Sequence, residues 1–176
     1  MKKVLFFSMI CLMGLAITSC DKDNTDTETT ETGTTPAGYV DLGLPSGTKW
    51  KATNEGGYYN YYSAVEIFGS KLPTREQFVE LMSLCTFSWD PNKKGANFVS
   101  TVNGNSIFFP AAGCRDWIGD LDDDEYDDLV GSYGYYWSST LNGSDEACFF
   151  VFGSEGQQMS NNDREWRYSV RLVYNP

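Results

Sequence analysis

The sequence predicts an α+β fold, with one short, well-capped helix set among many short strands. Three observations carry this reading. Only one segment, Thr74 to Cys85, combines helical apolar spacing with a start signal. Asn103-Gly104 stands between two strand-like runs, as a hairpin turn would. The remaining apolar segments are short, rich in Tyr, Phe and Trp, and bounded by Gly, Asn or Ser. The segment 37–176, about 140 residues long, is the size of a single domain with its own core.

Before that domain come two segments of other kinds. Lys2 and Lys3 precede an apolar run from Val4 to Ile17, which ends in Ile17-Thr18-Ser19-Cys20. Its 14 residues fall short of the ~20 that a membrane-spanning helix needs. The pattern resembles a bacterial lipoprotein signal, which implies removal of residues 1–19, diacylation of the Cys20 thiol and acylation of the new amino terminus. An ordinary secretory signal with an incidental cysteine is the alternative. Several acyl chains hold firmly where one gives marginal binding. Residues 20–36 comprise this cysteine and a tether of Thr, Asp, Glu and Asn without a large apolar side chain, so it cannot bury enough surface to fold. Its coil dimension is about 20–24 Å. Acidic residues directly after the lipidated cysteine resemble the export signals of surface-displayed lipoproteins in Bacteroidetes-type bacteria. That implies display on the outer membrane, with a periplasm-facing position as the alternative.

Within the domain, Tyr39-Val40-Asp41-Leu42 and Lys49-Trp50-Lys51 alternate as half-buried strands do. The helix begins at Thr74, which can cap it, with Gln77 positioned to complete a capping box. Phe78, Leu81, Met82 and Cys85 then form its apolar stripe, which makes Cys85 a buried thiol. Asn97 to Val102 and Ser106 to Phe109 flank Asn103-Gly104 as a hairpin with a type I′ turn. Tyr135 to Ser138, Ala147 to Phe152 and Tyr168 to Val173 complete the strands.

Charge and composition exclude several functions. Without Lys2 and Lys3 the chain keeps eleven basic residues against 24 acidic ones, a net charge of −13, and the basic residues are scattered. Nucleic acid is thereby excluded as a partner, because tracking phosphates needs clustered Lys and Arg. The absence of histidine removes the usual neutral-pH base and the common zinc motifs. No P-loop, C-x-x-C or dinucleotide glycine pattern occurs, and no cofactor is expected. The acidic run 116–128, with Asp120, Asp122 and Asp124 as calcium candidates, fails as an EF-hand. Glu125 stands where that loop needs glycine, and Gly131 where it needs glutamate. A solvated insertion is the simpler account of the run.

Tyr58, Tyr59, Tyr61 and Tyr62 crowd one segment, and the last third mixes aromatics with small polar residues. Such mixtures serve recognition, since Tyr and Trp give large contact area while Asn and Ser supply adaptable hydrogen bonds. The candidate ligand-binding residues are Trp117, Tyr133, Asn142, Asp145, Asn161, Asn162, Arg164 and Trp166. They would face a glycan or a protein.

Several phrases, taken in order, resemble the Fibrobacter succinogenes major paralogous domain family. They are Tyr39 to Trp50, Leu72-Pro73-Thr74-Arg75-Glu76-Gln77-Phe78, Gly104 to Gly113, Gly134 to Thr140 and Ser169 to Val173. The resemblance implies a C-type-lectin-like fold of the formylglycine-generating-enzyme kind. In that fold the two chain ends pair, here Tyr39–Leu42 with Val170–Tyr174, and long irregular loops carry the variable surface. Cys114 and Cys148 stand where that family usually has aromatic residues. A disulfide between them is one reading for an exported protein, and three reduced thiols with Cys85 is the other. Formylglycine-generating relatives use a close cysteine pair, which Cys148 lacks, so that activity does not carry over. The expected function is non-catalytic recognition or adhesion by a lipid-anchored envelope protein. A structural envelope component and a carboxylate-based polysaccharide enzyme are the alternatives.

Overall fold

The computed structural model describes residues 34–116 and 129–176. Among them it has nine strands in three small antiparallel sheets, against two short α-helices, α1 (Tyr61–Phe68) and α2 (Arg75–Leu84). The protein is therefore mostly β. This corrects the α+β, C-type-lectin-like expectation, which rested on one helix and long irregular loops.

Strands β1 (Tyr39–Asp41), β2 (Lys49–Lys51) and β9 (Val173–Tyr174) form the first sheet, in the order β1-β2-β9. The two expected partners thus share a sheet but do not pair, because Trp50 of β2 lies between Val40 and Val173. Most of the Tyr168–Val173 run is not strand either. Its backbone makes single contacts instead, with Glu55 N donating to Val170 O and Lys51 N to Leu172 O, each at 2.9 Å.

Helix α2 starts as its capping residues require. Gln77 N donates to Thr74 Oγ1 (3.3 Å) and Thr74 N to Gln77 Oε1 (2.8 Å), the two halves of a capping box. Phe78 and Leu81 are buried on its inner face. The helix ends at Leu84. Cys85 already has extended backbone and opens β3 (Cys85–Asp90), so its thiol is buried from a strand rather than from the helical stripe.

With β4 (Gly95–Ser100) and β5 (Ser106–Pro110), β3 forms the second sheet, in the order β3-β4-β5. The β4–β5 hairpin is where its sequence places it, but its turn is not type I′. Pairing stops at Val99 opposite Ser106, and Gly104 (φ +77°) is the residue in that loop with positive φ. The wider loop has a physical cause. Asn103 Nδ2 and Asn105 Nδ2 both donate to Asp41 O, at 3.0 and 2.7 Å, and Ser100 Oγ donates to Leu42 O at 2.6 Å. The loop is shaped by docking on β1.

The third sheet is the largest, with β6 (Tyr133–Asn142), β7 (Glu146–Gly153) and β8 (Gly156–Asp163) in that order. It separates two apolar clusters. Tyr136, Phe150 and Phe152 project to one side and pack with Trp50, Phe78, Phe98 and Phe109. Trp137 and Phe149 project to the other and pack with Tyr61, Leu72, Cys114, Tyr168 and Val170. Both faces of β7 are covered, which is why Ala147 to Phe152 reads as an unbroken apolar run.

Candidate functional site

The residues proposed for ligand binding do not converge. Trp117, Asp120, Asp122, Asp124 and Cys20 lie outside the described residues. Tyr133 begins β6 and Asn142 ends it, about 30 Å apart at the rise of an extended strand. The others gather at the Asn142 end, where most of their polar groups are already engaged. Asn142 Nδ2 donates to Glu146 Oε2 at 2.8 Å, and Asn161 Nδ2 donates to the same oxygen. Asn162 Nδ2 donates to the Tyr168 hydroxyl at 2.8 Å. The Arg164 guanidinium lies over the Tyr62 ring (5.4 Å), and Trp166 packs near Tyr168 in the second cluster. Asp145, in the β6–β7 turn, accepts a hydrogen bond from Ser144 Oγ. This end of the sheet is largely spent on its own structure.

The Tyr133 end differs. A shallow cleft of about 340 Å³ opens there, lined by Tyr133, Val151, Phe152, Gly153, Glu155, Gly156, Gln157 and Gln158. Its geometry follows from two glycines that bracket the tight Ser154-Glu155 turn between β7 and β8. A Cβ at Gly153 would meet the Tyr133 ring at 2.8 Å, so glycine lets that ring lie against the strand. Gly156 takes φ +146°, which a side chain would strain. The Tyr133 side of the cleft therefore presents an aromatic surface, 44 % exposed, tilted 45° to Tyr135. Opposite stand Gln158 and Glu155, both exposed, with Glu155 Oε1 accepting from Ser154 Oγ at 3.1 Å. Gln157 pairs with Phe152 and so projects to the other face of the sheet, where its Oε1 is buried without a hydrogen-bond partner among the described residues. One aromatic platform with amide donors and carbonyl or carboxylate acceptors suits a polyhydroxylated ligand, whose C–H face stacks while its hydroxyls bond at the rim.

Sequence reasoning found Tyr133 and missed Glu155, Gln157 and Gln158. A legible signal existed, since Gly153-Ser154-Glu155-Gly156 is turn punctuation directly after an apolar strand. The tyrosine-rich segment proved mostly structural. Tyr59 and Tyr61 pack in or against the second cluster, and Asn60 Oδ1 caps α1 by accepting from Ser63 N at 2.9 Å. Tyr58 carries the Arg115 guanidinium 4.7 Å over its ring, and Tyr62 remains exposed.

The three thiols of the described residues are free and buried. Burial pushes Cys85 and Cys114 up to about 11 and raises Cys148, so none is an activated nucleophile near neutral pH. The Cys114–Cys148 disulfide is absent, and the alternation of β7 explains why. Phe149 faces the cluster that contains Cys114, so its neighbour Cys148 projects to the opposite side of the sheet. No group of three metal-ligating side chains occurs among the described residues.

A second polar centre went unrecognised in the sequence. Arg171, 0 % exposed, donates from Nε to Asn54 Oδ1 (2.8 Å) and from Nη1 to Lys51 O (2.9 Å) and Ala52 O (2.7 Å). Its Nη2 donates to Phe108 O at 3.0 Å, and its Cζ lies 4.4 Å from the Phe109 ring centre. Asn54 Nδ2 in turn donates to the Tyr136 hydroxyl, which donates to Pro110 O. Burial lowers the Arg171 pKa and pushes Tyr136 up to about 12. Among the described residues the set is closed on itself, and it joins the first two sheets.

A family model described as a domain of unknown function (DUF8237) matches residues 84–173, just over half of the 176-residue chain. The matched span holds both Arg171 and the Tyr133 cleft. No curated protein and no solved structure matches the chain.

Proposed function

We propose that this chain, which belongs to the DUF8237 family, is a non-catalytic recognition protein that binds a glycan at the Tyr133 cleft and is held at the outer membrane through lipid on Cys20. The observation that carries the glycan reading is the pairing of an exposed tyrosine ring with the exposed amide of Gln158 and carboxylate of Glu155 at one hairpin. Stacking on Tyr133 supplies contact area at small entropy cost, and Gln158 and Glu155 supply orientation. An open cleft of this size holds one or two sugar rings and buries them incompletely. Affinity at a single site is therefore expected to be modest.

The motifs that resemble the Fibrobacter succinogenes family support the scaffold rather than the site. Trp50, Phe78, Tyr136, Trp137 and Arg171 belong to those phrases and are all fully buried, whereas Glu155, Gln157 and Gln158 lie outside them. The scaffold would then be shared and the cleft particular to this chain.

Two measurements test the proposal. Purified protein is screened on arrays of host and plant glycans beside Tyr133→Ala. Retention of one glycan class by the native protein, weakened at least tenfold in the variant at unchanged melting temperature, is the expected result. No retention, or retention indifferent to Tyr133, would sink the glycan reading. Separately, radiolabelled palmitate should enter the native protein in cells and fail to enter Cys20→Ala, which should also leave the membrane fraction. Label in both, or in neither, would refute the anchor.

A further inference from the structure

We infer that β8 is a strand-pairing edge and that its partner is β8 of a second copy of this chain. The two outer strands of the third sheet are treated differently. The outer side of β6 is occupied, with Gly113 N donating to Tyr133 O (2.8 Å), Ser169 N to Tyr135 O (3.0 Å) and Ser139 N to Pro73 O (2.7 Å). Among the described residues, the outer side of β8 has no such hydrogen-bonded cover.

Which of its groups point outward follows from the hairpin. Gly153 and Gly156 flank a two-residue turn, so they exchange both hydrogen bonds. Strict alternation then commits Gln158, Ser160 and Asn162 to β7 and turns the N–H and C=O of Gln157, Met159 and Asn161 to the outside. Among the described residues, none of these three backbones is hydrogen-bonded. The devices that normally blunt an edge are also missing. Between Gly156 and Asp163 there is no proline, lysine or arginine, and the register against β7 runs without a bulge.

A second copy fits this edge better than a foreign strand. A two-fold axis at Ser160 sets Ser160 against Ser160, Met159 against Asn161, Gln158 against Asn162 and Gln157 against Asp163. Within β8 no like charges meet, although the chain carries 24 acidic residues, because this strand holds a single one. Met159 and Asn161 of each copy would exchange their backbone hydrogen bonds, four in total. A basic foreign strand would be selected by carboxylates along the edge, and β8 offers amides and hydroxyls instead. Strand pairing alone buries less than the ~1,200 Å² of a stable interface, so the association is expected to be weak and concentration-dependent. Added salt should strengthen it by screening the repulsion of two acidic chains. Tyr133 lies two strands inward and does not take part, whereas Gln158, which lines the cleft, stands on the pairing edge.

Sedimentation velocity on the purified protein, without any glycan and from micromolar to near-millimolar concentration at low and high salt, tests this. The expected result is a monomer–dimer equilibrium that salt shifts toward dimer. Asn161→Pro removes an outward N–H while leaving the β7 ladder intact, and should weaken the dimer at least tenfold in a monomer that still melts cooperatively, with a slightly lower melting temperature from the lost Asn161–Glu146 hydrogen bond. Should that variant misfold, Asn161→Lys, which places a charge on the exposed edge, should weaken the dimer likewise. A monomer under every condition overturns the inference, as does a dimer indifferent to Asn161. Dimerisation is read without ligand, so its failure is distinct from failure of glycan binding.

Discussion

At Arg171 a buried guanidinium makes four hydrogen bonds to fixed acceptors, whereas at the Tyr133 cleft the polar groups of Glu155 and Gln158 have few partners and an aromatic ring faces water. The same kinds of atoms serve opposite purposes. A polar group surrounded by its own chain stabilises the fold, and one left facing a cleft is available to something else. Counting which donors and acceptors are spent therefore separates scaffold from site more sharply than residue type does. The Asn142 end of the third sheet stands between the two: it is exposed, as a site would be, yet engaged, as a scaffold is.

The comparison breaks first at Arg171. Arg171→Ala leaves the carbonyls of Lys51, Ala52 and Phe108 buried without a donor, and should cost about 3–5 kcal/mol or prevent folding. Denaturant unfolding measures this, and a loss below about 1 kcal/mol would show that the centre is not the clamp described. Arg171→Lys should be nearly as damaging, since one ammonium cannot span those acceptors.

Alkali should have the next largest effect. Cys85 and Cys114 rise from 9.0 to about 11 through burial, so the folded state holds their protons more tightly than the unfolded chain does. Their contribution is present in full below pH 9 and lost as pH rises toward 11. The melting temperature should fall over that window, and fall less in Cys85→Ala, where one titrating thiol is gone. A flat profile would place these thiols in contact with water.

Glu146→Ala frees the amides of Asn142 and Asn161 at the engaged end and should cost about 1 kcal/mol. An increase in glycan retention on that variant would show that this end becomes a site once released. Tyr133→Ala should be the mildest, within about 0.5 kcal/mol in stability, because a half-exposed ring at a strand start holds little together. A cost of several kcal/mol there would turn the cleft into scaffold and remove the contrast.

Sequence made some of this legible and hid the rest for identifiable reasons. The Thr74 capping box and the β4–β5 hairpin are local devices, complete within a few residues, and they stand where their patterns place them. Helix α1 escaped notice because Tyr-Tyr-Ser-Ala-Val-Glu-Ile-Phe is poor in strong helix formers, and it is held chiefly by Tyr61 and Ala64 packing on the sheet. Strand β8 escaped because its Gln, Ser and Asn residues show no apolar alternation, so a polar edge strand looks like a loop. The same blindness made Asn161 and Asn162 look like loop-borne ligand groups. Arg171 sat inside an apolar run, and nothing within its neighbourhood in the chain announces acceptors from Lys51, Ala52 and Phe108.

Those acceptors bear on how the protein comes to be folded. Arg171 meets Lys51 and Ala52 across 120 and 119 residues of chain. The sheet around Trp50 cannot settle until that distant arginine has been synthesised and brought back, and loop closure on that scale is a slow event. The earlier strands must therefore persist for a time with open edges and uncovered aromatic faces. Those faces are open to other chains in the meantime, so aggregation during refolding should rise steeply with protein concentration.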